Sequence, residues 1–192
     1  MVKSFVHSLL RRLVGPRMLY GYRRADGTWL PHTRISTATE LQCPQRLQIE
    51  DHVYIGHFNF IDAAGGLAIG EGTQITSHVS VLSHSSHVAA RLMGRRYWGH
   101  PAPAGMRLAA TSIGPYCFIG PGAVIAPGSR LGRGVLVRAH SYVDGEFPDY
   151  AIVGGQPARV LGDVREIDAP WLEQHPEAAE HYCGIGWQQA RR

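Results

Sequence analysis

The chain has 192 residues, 44% of them hydrophobic and 18% charged, with a formal net charge of +4. That length suits one domain with modest appendages, and that balance excludes a disordered chain. The mild basic excess forms no stripe interleaved with aromatics and no nucleic-acid motif occurs, so nucleic acid is not an expected partner, whereas an anionic small molecule is compatible.

Residues 1–46 read as an N-terminal cap. Met1–Leu13 holds an apolar patch, but Arg11 and Arg12 interrupt it, so neither a signal peptide nor a membrane span is expected there. Ser4–Val14 can form a short amphipathic helix with Leu9, Leu10 and Leu13 on one side, covering the end of the next domain. A sharper reading makes Lys3, Arg11, Arg12 and Arg17 a contact with a membrane surface.

Residues 47–162 are organised by a six-residue period. An aliphatic recurs at Ile49, Ile55 and Ile61, then in a second register at Ile69, Ile75 and Val81, with a two-residue insertion around Gly65 and Gly66 between them. It recurs again at Ile113, Ile119, Ile125, Leu131, Val137 and Val143. Small or β-branched residues sit four positions later, at Cys117, Ala123, Ser129, Val135 and Ser141. A period of six fits neither the 3.6 of a helix nor the 2 of a strand. It fits a triangular coil in which each hexad supplies one flat strand and one corner. No hexad buries its aliphatic alone, so coils must stack, with backbone hydrogen bonds running between them.

The hexads stop after Val81 and resume in phase at Ile113, leaving residues 83–112 as an extruded loop that carries His84, His87, Arg91, Arg95, Arg96, Tyr97, Trp98 and His100. A long irregular excursion from a rigid scaffold is usually functional. Residues 163–192 read as a helical C-terminal tail, with Asp168 and Pro170 as candidate starts. Cys43, Cys117 and Cys183 are odd in number and include no CxxC pair, which argues against a disulfide framework or a zinc ribbon and for a reducing, cytoplasmic setting.

The hexad [Ile/Leu/Val]-Gly-x-x-small-x, the loop, and the exit sequence AIVGGQPARVLG from Ala151 to Gly162 resemble, in that order, the hexapeptide-repeat acyltransferase superfamily, and within it the maltose, galactoside and polysaccharide O-acetyltransferases. The resemblance implies an all-β fold: a left-handed parallel β-helix with a long extruded loop, a short cap and a helical tail. It implies an acyltransferase that moves an acyl group, acetyl in the first instance, from acetyl-CoA or another acyl-CoA to a hydroxyl of a sugar or glycan precursor. Acetyl-CoA is then a co-substrate, with no tightly bound cofactor and no metal ligand set. A homotrimer with active sites between subunits is also implied.

Such a reaction needs a base for the hydroxyl proton, and histidine titrates near neutrality. The family's histidine opens the loop. Counted without gaps its position falls on Ser86; one added residue makes it His87, and His84 is the other candidate. The family's coenzyme A positions match Gly120, Ala139, Gly145 and Arg159. Where relatives often carry Asn and Asp, this chain has Gly56 and Ala64, so the nearby Asn59 and Asp62 are candidates for acceptor binding, with Arg91 and Trp98 of the loop. An oxyanion-facing Ser of the family matches Pro121, which has no donor, so the N–H of Gly120 would have to serve. Two other readings compete. A γ-class carbonic anhydrase would use three histidines from two subunits around zinc, and His52, His57 and His78 are available beside the loop pair. A non-catalytic β-helix scaffold would need no histidine-bearing loop.

Overall fold

The computed structural model describes residues 14–184. The helix expected over Ser4–Val14 and the basic N-terminal residues through Arg12 lie outside that range, Val14 excepted. The described chain begins with an antiparallel hairpin of β1 (Met18–Arg23) and β2 (Trp29–Ser36). Every later strand up to the exit pairs in parallel, except for a short antiparallel pair inside the excursion.

The coils run as follows. The end of β2, then β3 (Glu40–Gln42) and β4 (Leu47–Ile49), make the first. The second is β5 (Tyr54–Ile55), β6 (Phe60–Asp62) and β7 (Leu67–Ile69). The third starts with β8 (Gln74–Ile75) and β9 (Ser80–Val81), and is interrupted by an excursion holding β10 (His84–Ser85), α1 (His87–Met93) and β11 (Arg107–Leu108). It closes with β12 (Thr111–Ile113). The fourth is β13 (Phe118–Ile119), β14 (Val124–Ile125) and β15 (Arg130–Leu131); the fifth is β16 (Leu136–Val137), β17 (Tyr142–Val143) and β18 (Glu146–Phe147). The exit hairpin is β19 (Ala151–Gly155) with β20 (Ala158–Asp163), followed by α2 (Val164–Gln174) and α3 (Ala179–Gly184).

Stacking turns the hexad period into three parallel sheets. Sheet A carries the inward ladder Ile35, Ile55, Ile75, Ile119, Val137, Val153. Sheet B carries Leu41, Ile61, Val81, Ile125, Val143. Sheet C carries Ile49, Ile69, Ile113, Leu131, Phe147. All but Leu41 and Phe147 are buried, and each buried aliphatic contributes about 1.5–3 kcal/mol by leaving water. The small residues four positions on are buried at the corners, where Thr73, Ser129 and Ser141 give their hydroxyls to backbone carbonyls of Gly114, Val143 and Arg138.

Two boundaries differ from the sequence expectation. The β-helix begins at Ile35, two sides of the triangle before Leu47, because Ile35 and Leu41 already stack on Ile55 and Ile61. The step from Leu41 to Ile49 repeats the two-residue insertion between Ile61 and Ile69, and hides that coil from a six-residue count. In the tail, α2 starts at Val164 with the Asp163 carboxylate accepting from Arg165 N–H, so Pro170 lies inside the helix and does not open it.

The glycines after the aliphatics have a steric cause. A Cβ on Gly120 would lie 2.6 Å from the Ala139 nitrogen of the next coil, closer than stacked backbones allow. At one corner Phe58, His78, Gly122 and His140 all adopt positive φ, and at another His52, Gly72, Tyr116, Gly134 and Tyr150 do. The left-handed turn is therefore a demand of the corner, met by glycine or by residues that accept the strain.

Candidate active site

The excursion leaves at the corner between sheets B and C, and its stem is fixed on all sides. His84 and Ser85 of β10 pair antiparallel with Leu108 and Arg107 of β11. Thr111 Oγ1 donates to the Leu82 carbonyl at 2.7 Å, Ala109 N–H to the Ser83 carbonyl at 2.9 Å, and the Arg107 guanidinium to the Pro127 carbonyl at 2.9 Å. Gly65 N–H of the coil below donates to Ser83 Oγ at 2.8 Å. His84 thus projects from rigid backbone although it lies in the excursion.

The group that orients it is Asp62, the last residue of β6 in the coil below, whose side chain is fully buried. Its Oδ1 accepts from Ala64 N–H at 2.9 Å. Its Oδ2 accepts from Ser83 N–H at 2.9 Å, Ser83 Oγ at 3.2 Å and His84 N–H at 3.1 Å, and meets His84 Nδ1 at 2.6 Å. Burial opposes ionisation of this carboxyl, yet the Ala64 and Ser83 N–H groups and the His84 imidazole outweigh it and hold it below the usual carboxylate range. An ionised Asp62 can only accept, so His84 Nδ1 carries a proton and Nε2 is the nitrogen left for a ligand. The His84 side chain is 28% exposed, enough for that nitrogen to be reached.

His87, the other candidate, is exposed at the first turn of α1, and its Nδ1 meets Ser85 Oγ at 2.6 Å. A surface hydroxyl orients it, with no carboxylate in place. Asn59 does not face a ligand. It is buried, its amide donates to the Gly56 and Thr76 carbonyls, and its Oδ1 accepts from Val79 N–H. Asp62 likewise spends its oxygens on the stem, so neither residue is placed to bind an acceptor as the sequence suggested. Arg91 and Trp98 lie exposed on the excursion, Trp98 85% so, with its indole edge-on to Tyr97.

The coenzyme A candidates fall on different corners. Gly145 lies at the B–C corner, above the His84 stem, and its carbonyl accepts from Arg130 N–H. Gly120 and Ala139 lie at the A–B corner, and Arg159 on β20. Gly120 N–H already donates to the Val137 carbonyl at 2.8 Å, so it is not free to hold an oxyanion. Burial pushes the Cys117 thiol up to about 12, which leaves it unsuited as a nucleophile. His57 Nδ1 meets Ser36 Oγ at 2.6 Å, and His78 stacks on Phe58.

Two hollows lie on the outer face of sheet C. One of about 250 Å³, lined by Arg46, Gly66, Thr111 and Arg130 among others, shares the root of the excursion. A larger one of about 800 Å³ lies toward the C–A corner between Arg24, Glu50 and Arg133. Asp62 as the partner of His84 was missed in the sequence, but a signal was present. The register Ile61 on Val81 makes this coil twenty residues long, which stacks Asp62 directly below the start of the loop.

Residues 110–145 match the family model for the bacterial transferase hexapeptide (six repeats). The stacked coils carry the same inward aliphatic ladder beyond those residues, from Ile35 to Val153. The expected likeness to acetyltransferases of that superfamily is found in relatives of known name. Serine acetyltransferase 4 of Arabidopsis thaliana is 26% identical over 181 residues, covering 93% of this chain and 48% of its own length. The putative lipopolysaccharide biosynthesis O-acetyl transferase WbbJ of Escherichia coli K12 is 28% identical over 129 residues, covering 63% of this chain and 62% of its own. This chain thus spans less than two thirds of either relative. Among solved structures, AntD, an N-acyltransferase from Bacillus cereus in complex with dTDP and 3-hydroxybutyryl-CoA, superposes with a TM-score of 0.55 at 19% identity over 79% of this chain and 88% of its own, a likeness of fold. No helix among the described residues is long and apolar enough to cross a membrane.

Proposed function

We propose that this protein is an acyl-CoA-dependent O-acyltransferase, acetyl-CoA being the first donor to consider, and that its acceptor is a hydroxyl of a sugar or glycan precursor. The observation that carries the reading is the His84–Asp62 pair on a pinned stem. Asp62 fixes the tautomer, and His84 Nε2 takes the acceptor hydroxyl proton as that oxygen attacks the thioester carbonyl. The proton later passes to the departing coenzyme A thiolate. Attack is direct, which fits the buried, unreactive Cys117. The relatives named as acetyltransferases and the neighbour bound to 3-hydroxybutyryl-CoA support this class, and WbbJ's name supports a glycan acceptor. The left-handed sense of the coil belongs to the same reading.

The donor site is composite. His84 and Gly145 lie at the B–C corner, whereas Gly120 and Ala139 lie at the A–B corner, and sheet B separates them. One chain cannot close both corners around a single ligand. A homotrimer whose sheets B surround a threefold axis would set the B–C corner of one subunit against the A–B corner of the next. Above Glu40 of the first coil, the outward column of sheet B continues as Phe60, Ser80, Val124 and Tyr142, an uncharged stretch that suits such an interface. Light scattering on the purified chain should therefore give three times the chain mass; a monomer at micromolar concentration would end this arrangement.

The reaction itself is tested by release of free thiol from acetyl-CoA in the presence of a panel of nucleotide-sugars, lipid-linked sugars and amino-sugars. Acceptor-dependent release with a hydroxyl compound is the expected result. Release with amino-sugars alone would replace O-transfer by N-transfer. No release with any acyl-CoA would refute the reading.

A further inference from the structure

The N-terminal end of the solenoid holds a second cluster that acyl transfer does not use. His32 lies on β2 of the hairpin, while Asp51 and His52 form the first C–A corner, after β4. Asp51 Oδ1 accepts from His32 N–H at 3.0 Å and Thr33 Oγ1 at 3.1 Å, and Oδ2 meets His32 Nδ1 at 2.9 Å. The rings of His32 and His52 lie face to face, centroids 4.4 Å apart and planes within 6°. One nitrogen from each ring and one Asp51 oxygen lie within 4.8 Å of one another, and no other such trio occurs among the described residues.

We propose that His32, Asp51 and His52 bind one divalent transition-metal ion, zinc in the first instance, which clasps the N-terminal hairpin to the first coil. Two imidazoles and a carboxylate favour zinc, nickel or copper over calcium or magnesium. Zinc takes nitrogen and oxygen donors at about 2.0–2.2 Å, which sets tetrahedral donors about 3.5 Å apart, so the trio must close somewhat around the ion. The His32 side chain is 61% exposed and can rotate to do so. A fourth position remains for water. The backbone does not require histidine at position 52, since Gly72, Tyr116, Gly134 and Tyr150 make the same left-handed turn in later coils.

The location explains the use. A terminal coil has a neighbour on one side only, and solenoids need their ends capped. Here the hairpin joins the first coils through the short pairing of Arg34 and Ile35 with Tyr54 and Ile55. A metal would reinforce that joint beside the hydrogen bonds of His32 and Thr33 to Asp51.

The test uses the full chain after chelator treatment, titrated with zinc chloride by calorimetry and followed by thermal unfolding. The expected result is one ion per chain in the micromolar range or tighter. At a free concentration a hundredfold above Kd, the midpoint should rise by roughly 5–10 °C. Cobalt should show the visible absorption of a four-coordinate site. His32→Thr with His52→Asn, the asparagine chosen because it tolerates positive φ, should lose ion, shift and colour while keeping its circular dichroism. Should the double variant fold poorly, His32→Thr alone should weaken binding at least tenfold. Wild-type protein that binds no zinc at micromolar concentration, or variants that bind it equally well through the other histidines, would overturn the proposal.

Discussion

His84→Ala should reduce acceptor-dependent thiol release by roughly 10²–10⁴-fold, the range expected for loss of a positioned general base. The same change at His87 should leave turnover within a few-fold of wild type. The contrast rests on what holds each ring. His84 is oriented by a buried, ionised carboxylate and emerges from backbone tied to the coils below and above it. His87 is exposed, and its Nδ1 partner is the hydroxyl of Ser85. An imidazole that must be in place at the moment of attack gains from the first arrangement and little from the second. Because His84 is partly exposed and its removal leaves Asp62 with its backbone donors, the variant should fold, and its KM for acetyl-CoA should change little. Turnover of His84→Ala close to wild type would remove the mechanism. Equal losses in both variants would mean that the two histidines act together.

The parts legible in the sequence were those that geometry forces to repeat. Ile113 to Val143 must recur every six residues, because each inward side of a triangular coil has to be filled. The earlier ladders, Ile49 to Ile61 and Ile69 to Val81, were legible on both sides of the insertion at Gly65 and Gly66. What escaped was set by stacking rather than by period. Ile35 and Leu41 belong to the first coil, but the eight-residue step to Ile49 breaks the count. Asn59 and Asp62 were visible as polar residues near the right place, and both were read as facing a ligand. Asn59 is instead a corner residue that satisfies the backbone of its own and the next coil. Asp62 reaches the site only through the residue one coil later. The Gly120 N–H was considered as an oxyanion donor because Pro121 has none. Yet the N–H that follows the inward aliphatic is engaged by the next coil at Gly56, Gly70, Gly114 and Gly132, and Gly120 follows the same pattern. The metal-capable trio joins His32, in the region read as a cap, to residues of the first corner, a contact with no local sequence signal.

Asp62→Asn should lower kcat by about 10²-fold or more while leaving the acetyl-CoA KM nearly unchanged, since Asp62 positions His84 and touches no substrate. An amide presents an NH₂ group where the carboxylate accepted from Ser83 N–H, Ser83 Oγ and His84, so it either repels those donors or holds the imidazole in the other tautomer, with the Nε2 lone pair lost. The same residue is structural. Asp62→Ala would strand the Ser83, His84 and Ala64 N–H groups in a buried turn, at a cost of about 3–5 kcal/mol. The two roles separate by pH. The folded-state pKa of Asp62 lies below its unfolded value, so between the two the unfolded chain binds the proton and the native chain does not. Stability then rises with pH across that interval: the contribution is complete above the unfolded value near 4, and is lost as pH falls through the lower, native one. Denaturation of wild type and Asp62→Asn at several pH values should therefore show a gap that is constant from neutrality to about pH 5 and narrows below about pH 4. A kcat loss without that acid-side convergence would leave Asp62 positioning His84 without the charge assigned to it. Full activity in Asp62→Asn would break the link between this buried carboxylate and the imidazole above it.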